Sequence, residues 1–340
     1  MIRIATGVRR RRILQITLKS IAERAGVSYQ TVWRALHGEG RVSPQTQERI
    51  REIAKEMNYR TNRFAAGLRT NRSGIVGLVV LDVSNAFTGA LTRAIEFEAR
   101  ARGYSVFLAN SDGDIERERD AVLDMIERRI DGLIISGAQM SQSYLFTELP
   151  KEFPIVWINK PIARAGLGGV GSRNFDVGLQ AVDYFAKRGH QRIGGIFGPF
   201  ANKPFEARHE GLVEGLARHG LDSNPDWLKV GENTIAFAHQ AFMEMWQGEQ
   251  KPQAVLTTSY RLTEGVLTAV QELGLKRNED VEVLGFDIQY AEFLQPPMAV
   301  FRQQYGEIAR RAVERLVAGI EGHAAPEASD VAVPLQSAGR

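Results

Sequence analysis

The spacing of apolar residues divides the chain into two parts that differ in periodicity. Over residues 17–60 apolar side chains recur every three or four positions, which is the period of an α-helix. Gly26 is placed to make a turn between two of the helices, and Pro44 fits the first turn of a third. The apolar groups of the three predicted helices are Leu18, Ile21, Ala22 and Ala25, then Val32, Ala35 and Leu36, then Ile50, Ile53, Ala54 and Met57. The predicted N-caps are Thr17, Ser28 and Ser43.

From residue 74 onward the pattern changes to continuous apolar runs separated by amphipathic stretches. The runs are GIVGLVVLD, YSVFLAN, DGLIISG, FPIVWIN, RIGGIFG, QAVLTTS and VEVLGFD. Fully apolar strands that alternate with helices predict a parallel sheet covered on both faces, which is a doubly wound α/β architecture. Roughly 250 residues are enough for two such lobes. The predicted fold is a small all-α headpiece followed by a two-lobed α/β core.

Composition narrows the class of protein. The 340 residues include no cysteine, so neither disulfides nor thiolate zinc sites hold the fold together, as is usual in a reducing cytoplasm. The basic start RRRRILQITLKS is interrupted by Gln15 and Thr17, so it does not resemble a signal peptide. Because no other run is long enough to span a bilayer, we expect a cytoplasmic protein without a membrane partner.

The net charge of +3 is unevenly distributed. Residues 1–75 carry 16 of the 43 Lys and Arg but only 5 of the 40 Asp and Glu, a net charge of +11, whereas the remainder carries −8. Clustered cations favour a polyanionic partner, because neutralising phosphates releases counterions. Charge alone leaves a solvated basic face as an equal alternative.

The second predicted helix has the side chains needed to recognise base edges. On a helical wheel its apolar residues face one way, and the opposite arc carries Tyr29, Gln30, Trp33, Arg34 and His37. Arg pairs with guanine, Gln pairs with adenine, and an aromatic ring contacts a thymine methyl in the major groove. Two helices joined by a glycine-containing turn predict a helix-turn-helix. The alternative is a small bundle with an ordinary amphipathic surface helix.

Residues 17–68 resemble the headpiece of the lactose-repressor/galactose-repressor (LacI/GalR) family of bacterial transcription regulators. AGVSYQTVWR, VSPQT and NYRTNR follow one another at the family spacing, and the resemblance continues in IDGLIISG, RGHQRIGGIFGP and PPMAVFRQQYGEIARRAVERL. It implies a repressor that binds double-stranded, pseudo-palindromic operator DNA as a homodimer. It also implies a core like periplasmic sugar-binding proteins, with a small-molecule effector between its lobes.

The resemblance implies four segments. These are a basic extension (1–16), a helix-turn-helix headpiece (17–61), a hinge (62–73) and an effector-binding and dimerisation core (74–340). Arg9 to Arg12 are either an arm that contacts phosphates or a stretch before the true start of the protein. A C-terminus without a leucine-heptad tail favours a dimer over a tetramer.

Residues of the headpiece and hinge match the positions at which the family contacts DNA. Leu68 matches a leucine that wedges between base pairs in the minor groove, with an ordinary linker residue as the alternative. Trp33 departs from the family, which usually has a small hydroxyl residue there, so the operator sequence is open. The predicted DNA-binding residues are Thr17, Ser28, Tyr29, Gln30, Thr31, Trp33, Arg34, His37 and Leu68.

Residues of the core match the positions at which the family contacts its effectors. Asn159 and Asp287 end two predicted strands, where ligands bind in open α/β sheets. Ser259–Tyr260 stands where the family usually has an Asn-Asp pair, and Ser172–Arg173 stands where it usually has an Asp-Asn pair, so the identity of the ligand is open. A sugar, sugar acid or polyol is the first choice of ligand, and a nucleobase or nucleoside is the second. The predicted effector-binding residues are Phe87, Asn159, Arg208, Ser259, Asp287 and Gln303.

Other sequence features argue against an enzyme. Gly166, Gly168 and Gly171 form a literal GxGxxG, but a dinucleotide site follows a strand and opens a helix, whereas this motif follows NKPIARA and runs into VGSRNFD, so we interpret it as a loop. No nucleophile elbow or Walker sequence occurs, and the six histidines lack metal-ligand spacing, so neither a metal nor a cofactor is predicted. A plain solute-binding protein is the second functional class, and an enzyme is the third.

Overall fold

A computed structural model describes residues 17–37, 40–59, 72–136, 144–159, 168–324 and 330–336, without the side chain of His37. Chain contacts divide the protein into two compact units, Met1–Thr70 and Asn71–Arg340. The first unit contains the helical part of the sequence and the second contains the α/β part. Among the residues that the structure describes, none of the helices has both the length and the apolar sequence that a membrane span requires.

The first unit contains three helices, as predicted: α1 (Leu18–Ala25), α2 (Tyr29–His37) and α3 (Pro44–Glu56). Thr17 caps α1 in a reciprocal capping box with Ser20, and Gly26 ends it in a left-handed conformation with φ of 66°. The three helices pack around a small core formed by Ile21, Ala22, Ala25, Val32, Ala35, Ile50 and Ala54. The predicted apolar face is therefore confirmed.

The second unit begins with a lobe built on a parallel five-stranded sheet, which we call lobe 1. Its strand order is β2-β1-β3-β4-β5. The strands are β1 (Ile75–Val80), β2 (Ser105–Asn110), β3 (Gly132–Ser136), β4 (Ile155–Ile158) and β5 (Gly168–Val170). The helices are α4 (Ala86–Ala101), α5 (Ile115–Glu127), the short α6 (Tyr144–Thr147) and, from late in the chain, α11 (Tyr305–Glu321). Separate apolar clusters cover the two faces of this sheet.

Lobe 2 is built on a six-stranded sheet of order β11-β10-β9-β8-β6-β7, in which only β11 is antiparallel to its neighbour. Its strands are β6 (Ile193–Phe197), β7 (Leu228–Val230), β8 (Ala254–Thr257), β9 (Glu282–Phe286), β10 (Val300–Phe301) and β11 (Leu335–Gln336). Its α-helices are α7 (Asn174–Lys187), α8 (Lys203–Arg218), α9 (Ile235–Gln247) and α10 (Tyr260–Glu272). Short 3₁₀ turns cover Pro225–Trp227 and Ala291–Phe293.

The chain passes between the lobes three times, after β5, after β10 and before β11. The first and third passages are paired, since the backbone N–H of Arg173 donates to Val331 O at 2.8 Å and that of Val331 donates to Gly171 O at 2.8 Å. The side chain of Gln304 in the second passage donates to Ala332 O at 3.0 Å. Hydrogen bonds thus join all three passages.

Helices α7 and α8 approach each other closely because glycines face each other at their contact. A Cβ on Gly178 would lie 2.2 Å from Leu212 N and 2.3 Å from Arg208 O, and one on Gly211 would lie 2.0 Å from Phe175 O. Any side chain at these positions would force the two backbones apart. This contact brings the start of α7 beside the middle of α8.

All seven predicted apolar runs are strands, but four further strands were not predicted. Of these, β5 corrects an interpretation, because Gly168–Val170 pairs with β4 as a strand whereas the sequence predicted a loop. The others, β7, β10 and β11, are two or three residues long. Gly166 lies outside the described residues.

We expect Gly178→Ala to destabilise the core, because its methyl group would meet backbone atoms that no side-chain rotation can move. Overpacking of this kind costs about 1–3 kcal/mol, which lowers the midpoint of thermal unfolding by several degrees. Gly306→Ala in α11 is the matched control, since nothing lies within 4 Å of the position that its methyl group would take and it should be neutral or stabilising. Equal midpoints for the two variants would contradict the close approach of α7 and α8.

Candidate effector site and nucleic-acid interface

Helix α2 presents an exposed polar surface opposite its buried face. Val32 and Ala35 are fully buried, whereas Tyr29 is 54% exposed and Gln30 and Arg34 are also exposed. An exposed aromatic ring beside an amide and a guanidinium can read base edges in a major groove. The structure therefore places three predicted base-reading residues on one accessible surface.

The remaining predicted DNA-binding residues are placed differently. Ser28 Oγ accepts from the backbone N–H of Thr31 at 3.1 Å, and this hydrogen bond stabilises the start of α2. Trp33 and Thr31 are half-buried, and Thr17 is exposed at the start of α1. Leu68 and the side chain of His37 lie outside the described residues. The DNA-binding role of the whole set stays a prediction.

A cavity of about 160 Å³ lies between the lobes of the core, and its wall includes all six predicted effector residues. Asn159 and Phe87 come from lobe 1, Arg208 and Ser259 come from lobe 2, and Asp287 and Gln303 lie at the strand end and passage beside them. The structure thus brings together residues that are far apart in sequence. Their role in binding an effector is not tested by this placement and stays a prediction.

Arg208 is the buried cation of this cavity, with 4% of its surface exposed. Its Nε and Nη2 atoms donate to Asn174 Oδ1 at 3.0 and 2.7 Å, and Nη1 donates to the carbonyl of Thr258. The guanidinium carbon lies 3.7 Å from the centre of the Phe286 ring. Burial lowers the pKa of the guanidinium to about 10, with Asp287 acting in the opposite direction. A guanidinium has five N–H groups, so two have no protein partner among the described residues.

Asp287 is the buried anion of the same cavity, with 6% of its surface exposed. Its Oδ1 and Oδ2 atoms accept from the backbone and side-chain N–H groups of Gln303 at 2.9 and 2.6 Å. Burial raises the pKa of this carboxyl, and the hydrogen bonds from Gln303 and Tyr305 and the charge of Arg208 partly offset the rise. Gln303 is itself held by Ser172 Oγ, which donates to its Oε1 at 2.7 Å.

The two predicted strand-end residues share an unusual backbone conformation. Asn159 and Asp287 follow β4 and β9 with φ of 60° and 54°, in the left-handed region that Asn and Asp enter more readily than other side chains. Such residues concentrate at functional sites. The Oδ1 atom of Asn159 is buried without a hydrogen-bond donor among the described residues. An acceptor from each lobe therefore lies in the cavity wall.

Several lining residues were not predicted from the sequence. Ser259 Oγ donates to Asn233 Oδ1 at 2.5 Å and also accepts from the backbone of Leu262, so this predicted residue is held in place by one that was missed. Asn233 follows the short strand β7, which has no clear sequence signal. Further lining side chains that were not predicted are Asn85, Asn202, Phe205, Tyr260 and Phe286.

Comparison with known proteins identifies the family. The model of bacterial regulatory proteins, lacI family, matches residues 17–62, and that of the periplasmic binding protein-like domain matches residues 182–338. A solved structure described as a putative ribose operon repressor from Burkholderia thailandensis is 37% identical, and the match covers 78% of this chain and 99% of that chain with a TM-score of 0.73. The chain belongs to the LacI family.

Two further relatives match along most of this LacI-family chain. The HTH-type transcriptional repressor CytR of Escherichia coli K12 is 29% identical over 307 residues, which is 90% of each protein. A structure described as a transcriptional regulator CelR–cellobiose complex is 25% identical, covers 95% of this chain and 100% of that chain, and has a TM-score of 0.71. The predictions of a helix-turn-helix headpiece, a two-lobed core and a DNA-binding regulator are confirmed. That the protein is not an enzyme stays a prediction.

We expect Asn174→Ala to destabilise the core of this LacI-family protein, because it leaves two buried N–H groups of Arg208 without an acceptor. Leaving a buried donor unpaired costs about 1–3 kcal/mol, and more for a charged group. Thermal unfolding of Asn174→Ala, Arg208→Met and the double variant measures the coupling. Asn174→Ala should cost much less in the Arg208→Met background. Equal costs in both backgrounds would show that Asn174 does not support the guanidinium.

Proposed function

We propose that this protein is a repressor that binds operator DNA through α2 and releases or binds it in response to a small, uncharged polyhydroxyl compound held between the lobes. The observation that carries the proposal is that the wall of one cavity contains both a buried cation, Arg208, and a buried anion, Asp287. A sugar or polyol of pentose size suits this wall best.

The DNA-binding part of the proposal rests on the exposed arc of α2 in a strongly basic part of the chain. Arg34 is exposed on the same side of the helix as Tyr29 and Gln30, and it has no acidic partner among the described residues. Free guanidinium groups form paired hydrogen bonds with guanine, which discriminate between base pairs. We propose that α2 reads the operator and that Leu68, outside the described residues, wedges between base pairs in the minor groove and kinks the duplex.

Homodimerisation is part of the same proposal. The core leaves two large aromatic side chains strongly exposed, Phe97 at 69% on α4 and Phe293 at 78% in a 3₁₀ turn of lobe 2. Exposed apolar residues of this size are common at protein interfaces. Two copies would bring two headpieces to a pseudo-palindromic operator, since a twofold dimer recognises two equivalent half-sites.

The charge balance of the cavity favours an uncharged ligand over a sugar acid. Arg208 and Asp287 compensate each other, and no second cation lines the cavity among the described residues. A ligand carboxylate would bring a second anion close to Asp287 in a site of low dielectric constant. Neighbouring hydroxyl groups, by contrast, can accept from the two free N–H groups of Arg208 and donate to Asp287 and Asn159.

The size of the cavity favours a single sugar ring. Its volume of about 160 Å³ lies below the range of roughly 300–1,000 Å³ that is typical of sites for drug-sized ligands. The 37% identical neighbour is described as a putative ribose operon repressor, and another neighbour is a complex with cellobiose. A pentose fits the small cavity better than a disaccharide. A nucleoside is the second candidate, because Phe205, Tyr260 and Phe87 supply aromatic rings.

We expect Arg34→Ala to weaken binding to the operator but to leave binding to random DNA nearly unchanged. The loss should be about 1–3 kcal/mol at one base pair, because a base contact is lost. Arg24→Ala is the matched control: it removes the same charge from α1, where the guanidinium pairs with Glu56 at 3.1 Å. Fluorescence anisotropy on operator and random duplexes, at several salt concentrations, measures both. Equal weakening on the two duplexes would show that Arg34 contacts only backbone.

We expect calorimetry with five-carbon ligands to separate the effector classes. D-ribose or ribitol should bind, D-ribonate should bind at least tenfold more weakly because of its charge, and adenosine represents the second candidate class. Arg208→Ala should weaken ligand binding by about 1–3 kcal/mol at a temperature at which the variant remains folded. Preferential binding of D-ribonate would overturn the charge argument, and binding of adenosine alone would favour the nucleoside class.

A further inference from the structure

An ion pair joins the two lobes beside the cavity. Arg261 Nη2 in α10 of lobe 2 lies 3.0 Å from Asp82 Oδ2, which follows β1 in lobe 1. The neighbours of both residues, Leu81 and Tyr260, line the cavity wall. The pair therefore connects the lobes at the ligand site rather than at the three chain passages.

Asp82 is held in position by its own lobe. Its Oδ1 atom accepts from the backbone N–H and the hydroxyl of Ser84 at 2.9 and 2.6 Å, which leaves Oδ2 directed at Arg261. The hydrogen bonds from Ser84, together with the charge of Arg261, hold the pKa of this carboxyl below its usual range. The carboxylate is thus charged and oriented without help from a ligand.

Arg261 is also restrained by its own lobe. Its guanidinium carbon lies 5.5 Å from the centre of the Tyr260 ring, which is a cation–π distance. The side chains of Arg261 and Asp82 are 34% and 33% exposed, so the pair is partly shielded from solvent. Because both partners are restrained, less side-chain entropy is lost on pairing than for two free surface side chains.

We propose that the Asp82–Arg261 ion pair is a latch that holds the lobes together across the effector cavity and thereby sets how often the cavity opens. This inference rests on the proposed function, since it assigns a regulatory role at the same ligand site. Opening the lobes about their chain passages separates the two charges, so the open arrangement is disfavoured even when no ligand is present. The ligand therefore binds to a protein in which the ion pair already favours the closed arrangement of the lobes.

The expected effect is modest but measurable. Partly exposed pairs shift equilibria by about 1.5- to 5-fold, and salt screens them. Asp82→Asn removes the charge but keeps an oxygen that can accept from Ser84, and Arg261→Gln removes the other charge. If the latch is one interaction, each single variant should raise the ratio of open to closed molecules by about 1.5- to 5-fold, and the double variant should raise it no further.

Double electron–electron resonance, which measures the distance between two spin labels, tests the latch directly on the full chain without ligand or DNA. Spin labels are attached at Glu127→Cys in lobe 1 and Glu249→Cys in lobe 2, which are both exposed positions. Because the chain has no cysteine of its own, no other position is labelled. The labelled chain is mixed with an excess of unlabelled chain, so that most dimers contain one labelled subunit and the measured distance lies within that subunit. The matched control is Arg119→Gln, because the Arg119–Glu148 pair is similarly exposed, at 37% and 31%, but lies within lobe 1.

The latch predicts a larger fraction of long distances in Asp82→Asn and in Arg261→Gln, and in the unchanged chain at 1 M salt, but not in Arg119→Gln. Unchanged distances in either latch variant, additive effects in the double variant, or the same change in Arg119→Gln would overturn it. Because this experiment needs no effector, it is independent of the calorimetry. A chain that opens as predicted but binds none of the five-carbon ligands would contradict the proposed ligand while leaving the latch in place.

Discussion

The core is organised around the burial of one guanidinium. A buried cation is tolerated only when hydrogen bonds and an opposite charge replace the water that it has lost. Arg208 receives that compensation from three different elements: Asn174 at the start of α7, the carbonyl of Thr258 after β8, and the Phe286–Asp287 segment at the end of β9. The close packing of α7 on α8 through Gly178 and Gly211 is what brings Asn174 within reach. The packing of lobe 2 and the burial of a charged group in the cavity wall therefore depend on each other.

The sequence predicted the parts of the fold whose signal is carried by their own residues. The headpiece helices follow from a three-to-four-residue spacing and from caps such as Thr17 and Ser43, and both caps are present. Strands buried on both faces follow from long apolar runs. Strand β5 did not follow, because a Gly-Gly-Val segment has no pattern of its own and becomes a strand only by pairing with β4. Strand β10 pairs through two residues and was missed for the same reason.

The candidate site divides in a similar way. Asn159 and Asp287 were predictable, since each ends an apolar strand and the carboxyl ends of strands face the ligand cleft. Arg208 and Phe87 required the family resemblance. Asn174 and Asn233 were missed, because their contribution is to hold Arg208 and Ser259 rather than to follow a motif. Such supporting contacts arise when helices meet in three dimensions, which spacing along the chain does not record.

Joining a sensor to a DNA-binding headpiece in one chain has a thermodynamic consequence. If the ligand changes operator affinity by some factor, the operator must change ligand affinity by the same factor. A ligand that binds both arrangements of the lobes equally well can shift neither. The most direct test is the affinity of D-ribose for the full chain, measured by calorimetry with and without saturating operator duplex. We predict two different affinities whose ratio equals the ratio of operator affinities with and without D-ribose. Equal affinities for D-ribose in the two conditions would contradict the coupling of the cavity to the operator.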